Sequence, residues 1–170
     1  MTPNLETLPM GEDAPRVVHA VVEVPVGSRN KYEYEEKLGA VMLDRVLPGS
    51  LRYPADYGFI PSTETERGDA LDVFVAAYDA VFPGCVVRVR PVGALETSDS
   101  NGHEFNIFAV PVDDPRFAGI ESLDDLPGQS LREIEQFYST YKKLEGDDGV
   151  EILGWRSAEE AQEIITQCAL

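Results

Sequence analysis

Cysteine, histidine and positive charge are scarce in this 170-residue chain, and each scarcity closes off a class of function. The two cysteines, Cys85 and Cys168, lie far apart and form no CxxC pair. They read as reduced thiols of a cytosolic protein, with Cys85 in the core. With only two histidines, His19 and His103, a zinc centre or a Ser-His-Asp triad has little support. His19 sits in an apolar run and reads as structural, while His103 falls in a hairpin loop and reads as exposed. Fourteen Lys and Arg face 31 Asp and Glu, for a formal charge of −17. That balance argues against nucleic acid, which is bound through an excess of cations, and against an anionic membrane surface. There is no P-loop lysine motif and no GxGxxG before a helix, so nucleotide binding through those devices is not expected. No apolar run approaches the ~20 residues of a membrane helix. The N-terminus has no basic segment leading into an apolar one, so a cytoplasmic location is expected. Internal repeats and low-complexity tracts are also missing.

What is present is the composition of a globular protein, 43% hydrophobic and 26% charged. A chain of this size forms one domain and buries roughly two-thirds of its unfolded surface. Residues 1–15 are polar with three prolines and read as a flexible arm, leaving 16–170 as a single domain. From Val17 to Val26 the chain is β-branched and partly continuous, as in a strand covered on both faces. Lys31-Tyr32-Glu33-Tyr34 alternates charge with aromatic, which places Lys31 and Glu33 on one face. Further strands are expected at 41–45, 71–77, 85–95 and 105–112, with Asp99-Ser100-Asn101-Gly102 as a hairpin turn. The segment Tyr53 to Phe59 reads as irregular, bounded by Pro54 and Gly58.

The C-terminal third changes period. Ser130-Leu131-Arg132-Glu133 reads as a capping box opening a helix. Leu131, Ile134, Phe137 or Tyr138, Tyr141 and Leu144 form its apolar side. Ser157-Ala158-Glu159-Glu160 opens a second helix in the same way, with Ala161, Ile164, Ile165 and Cys168 inward. Short strands followed by two helices predict an α+β arrangement, a closed β-barrel with helices packed outside.

Chemistry concentrates at Glu66-Arg67-Gly68-Asp69-Ala70-Leu71-Asp72-Val73, a turn entering an apolar strand. Asp69 and Asp72, three residues apart at the mouth of a strand, either converge on a Mg²⁺ cluster or are ordinary turn residues. Divalent cations would let so acidic a chain bind phosphates. Around this turn stand Lys31, Glu33, Arg45, Tyr53 and Tyr57 upstream, and Asp99, Glu104, Tyr141 and Lys142 downstream. The tyrosines are either core aromatics or phosphate donors. Lys31 and Arg45 are either surface ion pairs or phosphate ligands, Arg45 with a bidentate fork.

In this order the residues resemble the soluble family I inorganic pyrophosphatases. The likeness runs from about Val17 to Ala169, through Val22-Glu23-Val24-Pro25, Lys31-Tyr32-Glu33, Asp44-Arg45, Tyr53-Pro54 and Tyr57-Gly58. It continues through Gly68-Asp69-Ala70-Leu71-Asp72-Val73, Pro83-Gly84, Arg90-Pro91-Val92-Gly93 and Ala109-Val110-Pro111. Asp124, Leu126-Pro127, Phe137-Tyr138, Tyr141-Lys142 and Gly154-Trp155 complete it. The resemblance implies a five-stranded, OB-like closed barrel with flanking strands and two main C-terminal helices. It also implies a homo-oligomer, since bacterial relatives are commonly hexamers. Its chemistry is the hydrolysis of pyrophosphate to two phosphates by metal-activated water, with Mg²⁺ and, as the alternative, Mn²⁺. By position, Asp72 matches the acid bridging the activating metals, Asp69 the acceptor of the water's proton, and Asp99 a metal ligand. Glu33 matches an acid reaching a metal through water, and Glu104 stands where the family has a metal-binding Asp. Lys31, Arg45, Tyr57, Tyr141 and Lys142 match the phosphate-holding residues, with Tyr53 and Glu23 in support.

The departures sit in the same place. The family turn is Asp-Gly-Asp-Pro-x-Asp, whereas here Arg67 holds the first position. A guanidinium ~4 Å from Mg²⁺ is repelled by several kcal/mol even at an effective dielectric near 20. Ser100 replaces an acid and Asn106 a phosphate-holding lysine, and a local bulge would be needed to bring Glu66 inward as a substitute acid. Three functions are therefore compared: pyrophosphate hydrolysis, hydrolysis of another phosphoanhydride whose extra group meets Arg67, and phosphate binding without catalysis.

Overall fold

The computed structural model describes residues 3–147 and 149–170. Its eight strands are β1 (Val18–Val24), β2 (Asn30–Glu35), β3 (Ala40–Val46), β4 (Asp56–Ile60), β5 (Leu71–Val75), β6 (Val86–Asp99), β7 (Gly102–Pro111) and β8 (Glu151–Arg156). Two α-helices follow the barrel strands, α1 (Gly128–Thr140) and α2 (Ala158–Cys168). Strands β1, β4, β5, β7 and β6 hydrogen-bond in that order, and β6 returns to β1, which closes a five-stranded barrel. All neighbours in the ring are antiparallel except β5 and β7, which run parallel with Phe74 opposite Phe108. Closure leaves no free edge in the ring, the usual solution for a small all-β core. The fold is α+β with an OB-like barrel, as expected from the sequence.

Two backbone devices shape the ring. The 14-residue β6 carries a bulge between Pro91 and Gly93. Its first half pairs with β1 and its last half with β8, where Leu95 faces Trp155. A bulge bends and twists a strand, which lets one strand serve two neighbours. Gly58 in β4 is the second device, because a Cβ there would stand 1.8 Å from the Val21 carbonyl oxygen of β1.

The core divides by helix. Against α2 lie Val18, Ala20, Ile60, Leu71, Val73 and Ile107, closed by Ala161 and Ile165. On the other side Tyr53, Phe74 and Phe108 pack with Phe137 and Tyr138 of α1. The Tyr53 and Phe137 ring centroids are 4.6 Å apart, and Tyr57 meets Phe74 at 4.9 Å. The ribbon β2–β3 stands outside the ring and turns Met42, Leu43 and Val46 to solvent.

Several local expectations change in the folded chain. Residues 56–60 form β4 at the centre of the sheet, because Gly58 there permits close strand approach and does not break the run. Strand β8, which carries Gly154-Trp155, lies outside the strands expected from sequence. The hairpin at 99–102 is present, but its strands extend to its very edge. Helix α1 begins at Gly128 after Pro127, so Ser130 lies inside the helix and not at its cap. The helix ends at Thr140, and Leu144 in the turn beyond is 74% exposed. The second capping box is present: Ser157 Oγ accepts from Glu160 N–H at 3.2 Å, and Glu160 Oε2 accepts from Ser157 N–H at 2.8 Å. Cys85 is half-buried, not a core residue. Residues 4–10, read from sequence within a flexible arm, touch the barrel. Leu5 and Leu8 pack with Val21, Tyr34 and Phe59, and His19 Nδ1 lies 2.6 Å from the Pro9 carbonyl.

Candidate active site

The acidic turn is built by hydrogen bonds that the sequence dictates locally. Gly68 N–H closes on Thr65 O at 2.9 Å, and Thr65 N–H on Asp69 O at 2.8 Å. Gly68 holds φ at +84°, a left-handed conformation that glycine adopts without steric cost. The turn delivers Asp69 just before β5 and Asp72 one pair into it, opposite Phe59 of β4. Both acids line an open cleft of about 460 Å³.

From other elements the same cleft receives Glu23 of β1, Lys31 and Glu33 of β2, Tyr57 of β4 and Glu104 of β7. Asp72 lies deepest. Desolvation and then the charge of Glu104 push its carboxyl well above the usual range, against a hydrogen bond from Tyr57. Burial raises the Tyr57 hydroxyl far above its ordinary value, helped by the charge of Asp72. Glu23 is raised to about 7 by burial, although its Oε1 accepts from Tyr34 N–H at 2.7 Å. The cleft is thus an excess of crowded carboxylates with Lys31 among them, an arrangement that calls for added positive charge.

The remaining candidates stand at its border. Lys31 Nζ pairs with Glu33 and, at 3.1 Å, with Asp44. Arg45 lies opposite Lys31 in the ribbon, donating to Glu145 at 2.8 Å and Asp44 at 3.0 Å. Tyr141 caps α1 and stacks on Phe137 at 5.1 Å. Burial first, and then the charge of Glu104, raise its hydroxyl. Lys142 follows with its Nζ 5.5 Å from the Tyr141 ring, and its charge reaches Asp99. Tyr53 is 2% exposed and sits in the aromatic core. Asn106 is buried, with its Oδ1 accepting from the Tyr138 hydroxyl.

Arg67 turns toward the acids. Its guanidinium donates to Asp99 Oδ1 at 3.0 Å and Oδ2 at 3.4 Å, and to the Gly102 carbonyl at 2.8 Å. Glu104 Oε2 lies 3.6 Å away. Although burial works against it, the Asn101 amide and the Arg67 guanidinium hold Asp99 below the usual carboxylate range. Glu66 is exposed and lies near Cys168, so no bulge brings it into the cleft.

An inorganic pyrophosphatase family model matches residues 20–170. The chain belongs to the inorganic pyrophosphatase family. It is 48% identical over 167 residues to the inorganic pyrophosphatase of Thermus thermophilus, covering 97% of this chain and 95% of that one. It is 46% identical over 160 residues to that of Haloferax volcanii, covering 94% and 90%. The crystal structure of the Thermus thermophilus inorganic pyrophosphatase superposes with a TM-score of 0.95 at 47% identity, over 98% of this chain and 97% of that one. The Helicobacter pylori inorganic pyrophosphatase gives 0.90 at 36% identity, over 96% of each chain.

Pyrophosphatase membership implies a divalent metal cofactor, and the donor set can be tested against it. The ligands offered are all oxygens, which suits a hard cation, and Asp72 is crowded by Glu104, whose only salt bridge among the described residues is to Arg67 at 3.6 Å. Among the described residues, no three His, Cys, Asp or Glu side chains gather tightly enough to hold an ion alone. An ion held here would need water and substrate oxygens to complete its shell, as Mg²⁺ commonly does. The Asp72 side of this pyrophosphatase cleft fits such an ion. The Asp99 side, already paired with Arg67, does not.

The sequence reading noted Asp44 beside Arg45 without giving it a role, and missed Glu145, its fellow partner of the cations, and Glu6, which lines the cleft from the N-terminal segment. The local signal for Glu6 was Asn4, whose side chain accepts from the Glu6 amide and caps a short 3₁₀ turn. Nothing in the local sequence marked Glu145.

Proposed function

We propose that this chain hydrolyses inorganic pyrophosphate to two phosphates with divalent ions, Mg²⁺ first and Mn²⁺ second. The observation that carries the reading is the crowded Asp72–Glu104 pair facing Asp69, Lys31 and Tyr57 in one cleft, within a chain of this family. Bound divalent ions supply neutralisation of phosphate charge and acidification of water. The protein's part is positioning. Asp72, Glu104 and Glu33 would hold the ions, with Glu23 in support, and the Asp69 carboxylate would take the proton of the attacking water. Asp99 enters only as far as Arg67 releases it. Lys31 and Arg45 give their charge to phosphate oxygens by exchanging Asp44, their shared partner at 3.1 and 3.0 Å, for substrate. The Tyr57 and Tyr141 hydroxyls stay protonated at working pH and donate hydrogen bonds, while Lys142 adds charge at the α1 end. No histidine is required as base.

Hydrolysis of a larger phosphoanhydride is less favoured, because Arg67 is bound to Asp99 and Gly102 and not turned to an added group. Binding without turnover is less favoured because Asp69 and Asp72 both line the cleft. The test is phosphate release from pyrophosphate with Mg²⁺ or Mn²⁺. Asp69→Asn and Asp72→Asn should each lower kcat by about 10²-fold or more, the usual worth of a positioned proton acceptor or its equivalent. Unchanged turnover in both variants overturns the assignment.

The same reading places the enzyme in the cytoplasm as a homo-oligomer, a hexamer by family likeness. Outward apolar side chains, Met42 at 45%, Leu43 at 52% and Phe82 at 70% exposure, support burial against further copies. Light scattering that returns a monomer at working concentration would exclude it.

A further inference from the structure

We infer that Arg67 is a built-in cation that takes the place of one divalent ion at the Asp99 edge of the cleft and straps the two acidic loops together. The inference rests on the divalent-metal reading above and concerns what this chain itself puts between its acids.

Three features distinguish Arg67 from an ordinary surface ion pair. The first is multiplicity: its guanidinium meets both oxygens of Asp99, the Gly102 carbonyl and, at 3.6 Å, Glu104 Oε2. These are all oxygen acceptors gathered on one centre of positive charge, as around a hard cation. The second is enclosure, with the Arg67 side chain 24% and the Asp99 side chain 8% exposed. The third is span. Arg67 sits in the Thr65–Gly68 turn and its partners in the Asp99–Gly102 hairpin, so one side chain ties two loops that share no strand pairing.

A guanidinium differs from an ion in ways that matter for the cleft. Its charge is permanent, and it is covalently tethered, so dilution and chelators leave it in place. Its planar fork matches a carboxylate in two parallel hydrogen bonds, the geometry seen on Asp99. An ion bound to Asp99 would lie within a few ångströms of this charge, and the repulsion excludes it. Glu104 faces both ways, toward Arg67 and toward Asp72. Ions are thereby confined to the Asp72 and Asp69 side. Arg67 is a positioning residue, since it reaches substrate only through Asp99 and Glu104.

The experiment counts tightly bound Mn²⁺ per chain by equilibrium dialysis of the full-length protein. It compares the native chain with Arg67→Met, Arg67→Lys, and Arg67→Met combined with Asp99→Asn. The inference expects one additional ion in Arg67→Met, the native count in Arg67→Lys, and the native count again in the double variant. Equal counts in native and Arg67→Met overturn it, as does an extra ion that survives Asp99→Asn. If no chain binds Mn²⁺, the metal-dependent reading itself falls and the inference falls with it. A second readout uses the native chain alone, by hydrogen exchange of the amides at 99–102, the loop that Arg67 holds and that carries no residue assigned to the ions. Their protection should be unchanged by EDTA, because the strap is not a metal. Loss of protection on chelation overturns the inference without any substitution.

Discussion

Asp56 shows how one carboxyl outside the cleft makes stability depend on pH. It is 2% exposed in β4 and accepts from the Val26 amide at 2.8 Å. Burial, opposed by amides of Val26 and Val81, still raises it from 3.8 to about 6. A carboxyl whose folded pKa lies above its unfolded one binds its proton more tightly when folded. Its stabilisation is therefore complete below pH ~4 and is lost as pH rises through about 6. Native stability relative to Asp56→Asn should fall by on the order of 2 kcal/mol between pH 4 and 7. Denaturant melts of both chains at several pH values measure this, and parallel curves would refute it. At the same scale, Gly58→Ala forces a Cβ to 1.8 Å from the Val21 carbonyl, where only backbone can move. A loss of about 3 kcal/mol or more is expected in the same melts, at the upper end of overpacking costs.

The two helices separate a true cap from an apparent one. Ser157 and Glu160 exchange hydrogen bonds at the start of α2, so Ser157→Ala should destabilise by about 1 kcal/mol. Ser130 heads an equally good sequence pattern but lies inside α1, and Ser130→Ala should change stability by less than ~0.5 kcal/mol. Thermal melts of the two variants decide between pattern and placement, and equal losses would mean that Ser130 caps after all. The pattern was legible in both cases. What differed is where α1 starts: Pro127 is the cap residue and Gly128 the first helical one, two positions before Ser130, so the helix begins before the box is reached.

For the whole molecule, the site is an assembly of distant segments. Glu23, Lys31, Tyr57, Asp72 and Glu104 come from five different strands, and the barrel that holds them closes by pairing residues 18–21 of β1 with 86–89 of β6. The N-terminal segment joins through Glu6 and the packing of Leu5 and Leu8. We propose that this segment is part of the folded unit. Deleting residues 3–10 should lower the melting temperature by several degrees, since ΔΔG of 1 kcal/mol shifts a domain of this size by about 2–4 °C. An unchanged melt would restore the reading of a free arm.

Alternation, β-branched runs and helical spacing were sufficient to determine most strands, both helices and the barrel class, because these periods report which faces must be buried. Motif order was sufficient for the family. Asp69, Asp72, Glu33, Glu104 and Lys31 of the cleft were also legible as candidates from their residue types and order, whereas Glu6 was not. Local sequence did not determine β4, whose Gly58 looks like a breaker until β1 lies across it at a distance no side chain allows. Nor did it determine the pairing of Arg45 with Glu145, one hundred positions later in the chain. Above all, the direction of Arg67 was decided in three dimensions. A cation in an acidic loop can face water or acids, and only the tertiary placement of Asp99, Gly102 and Glu104 supplied enough oxygen acceptors to turn it inward.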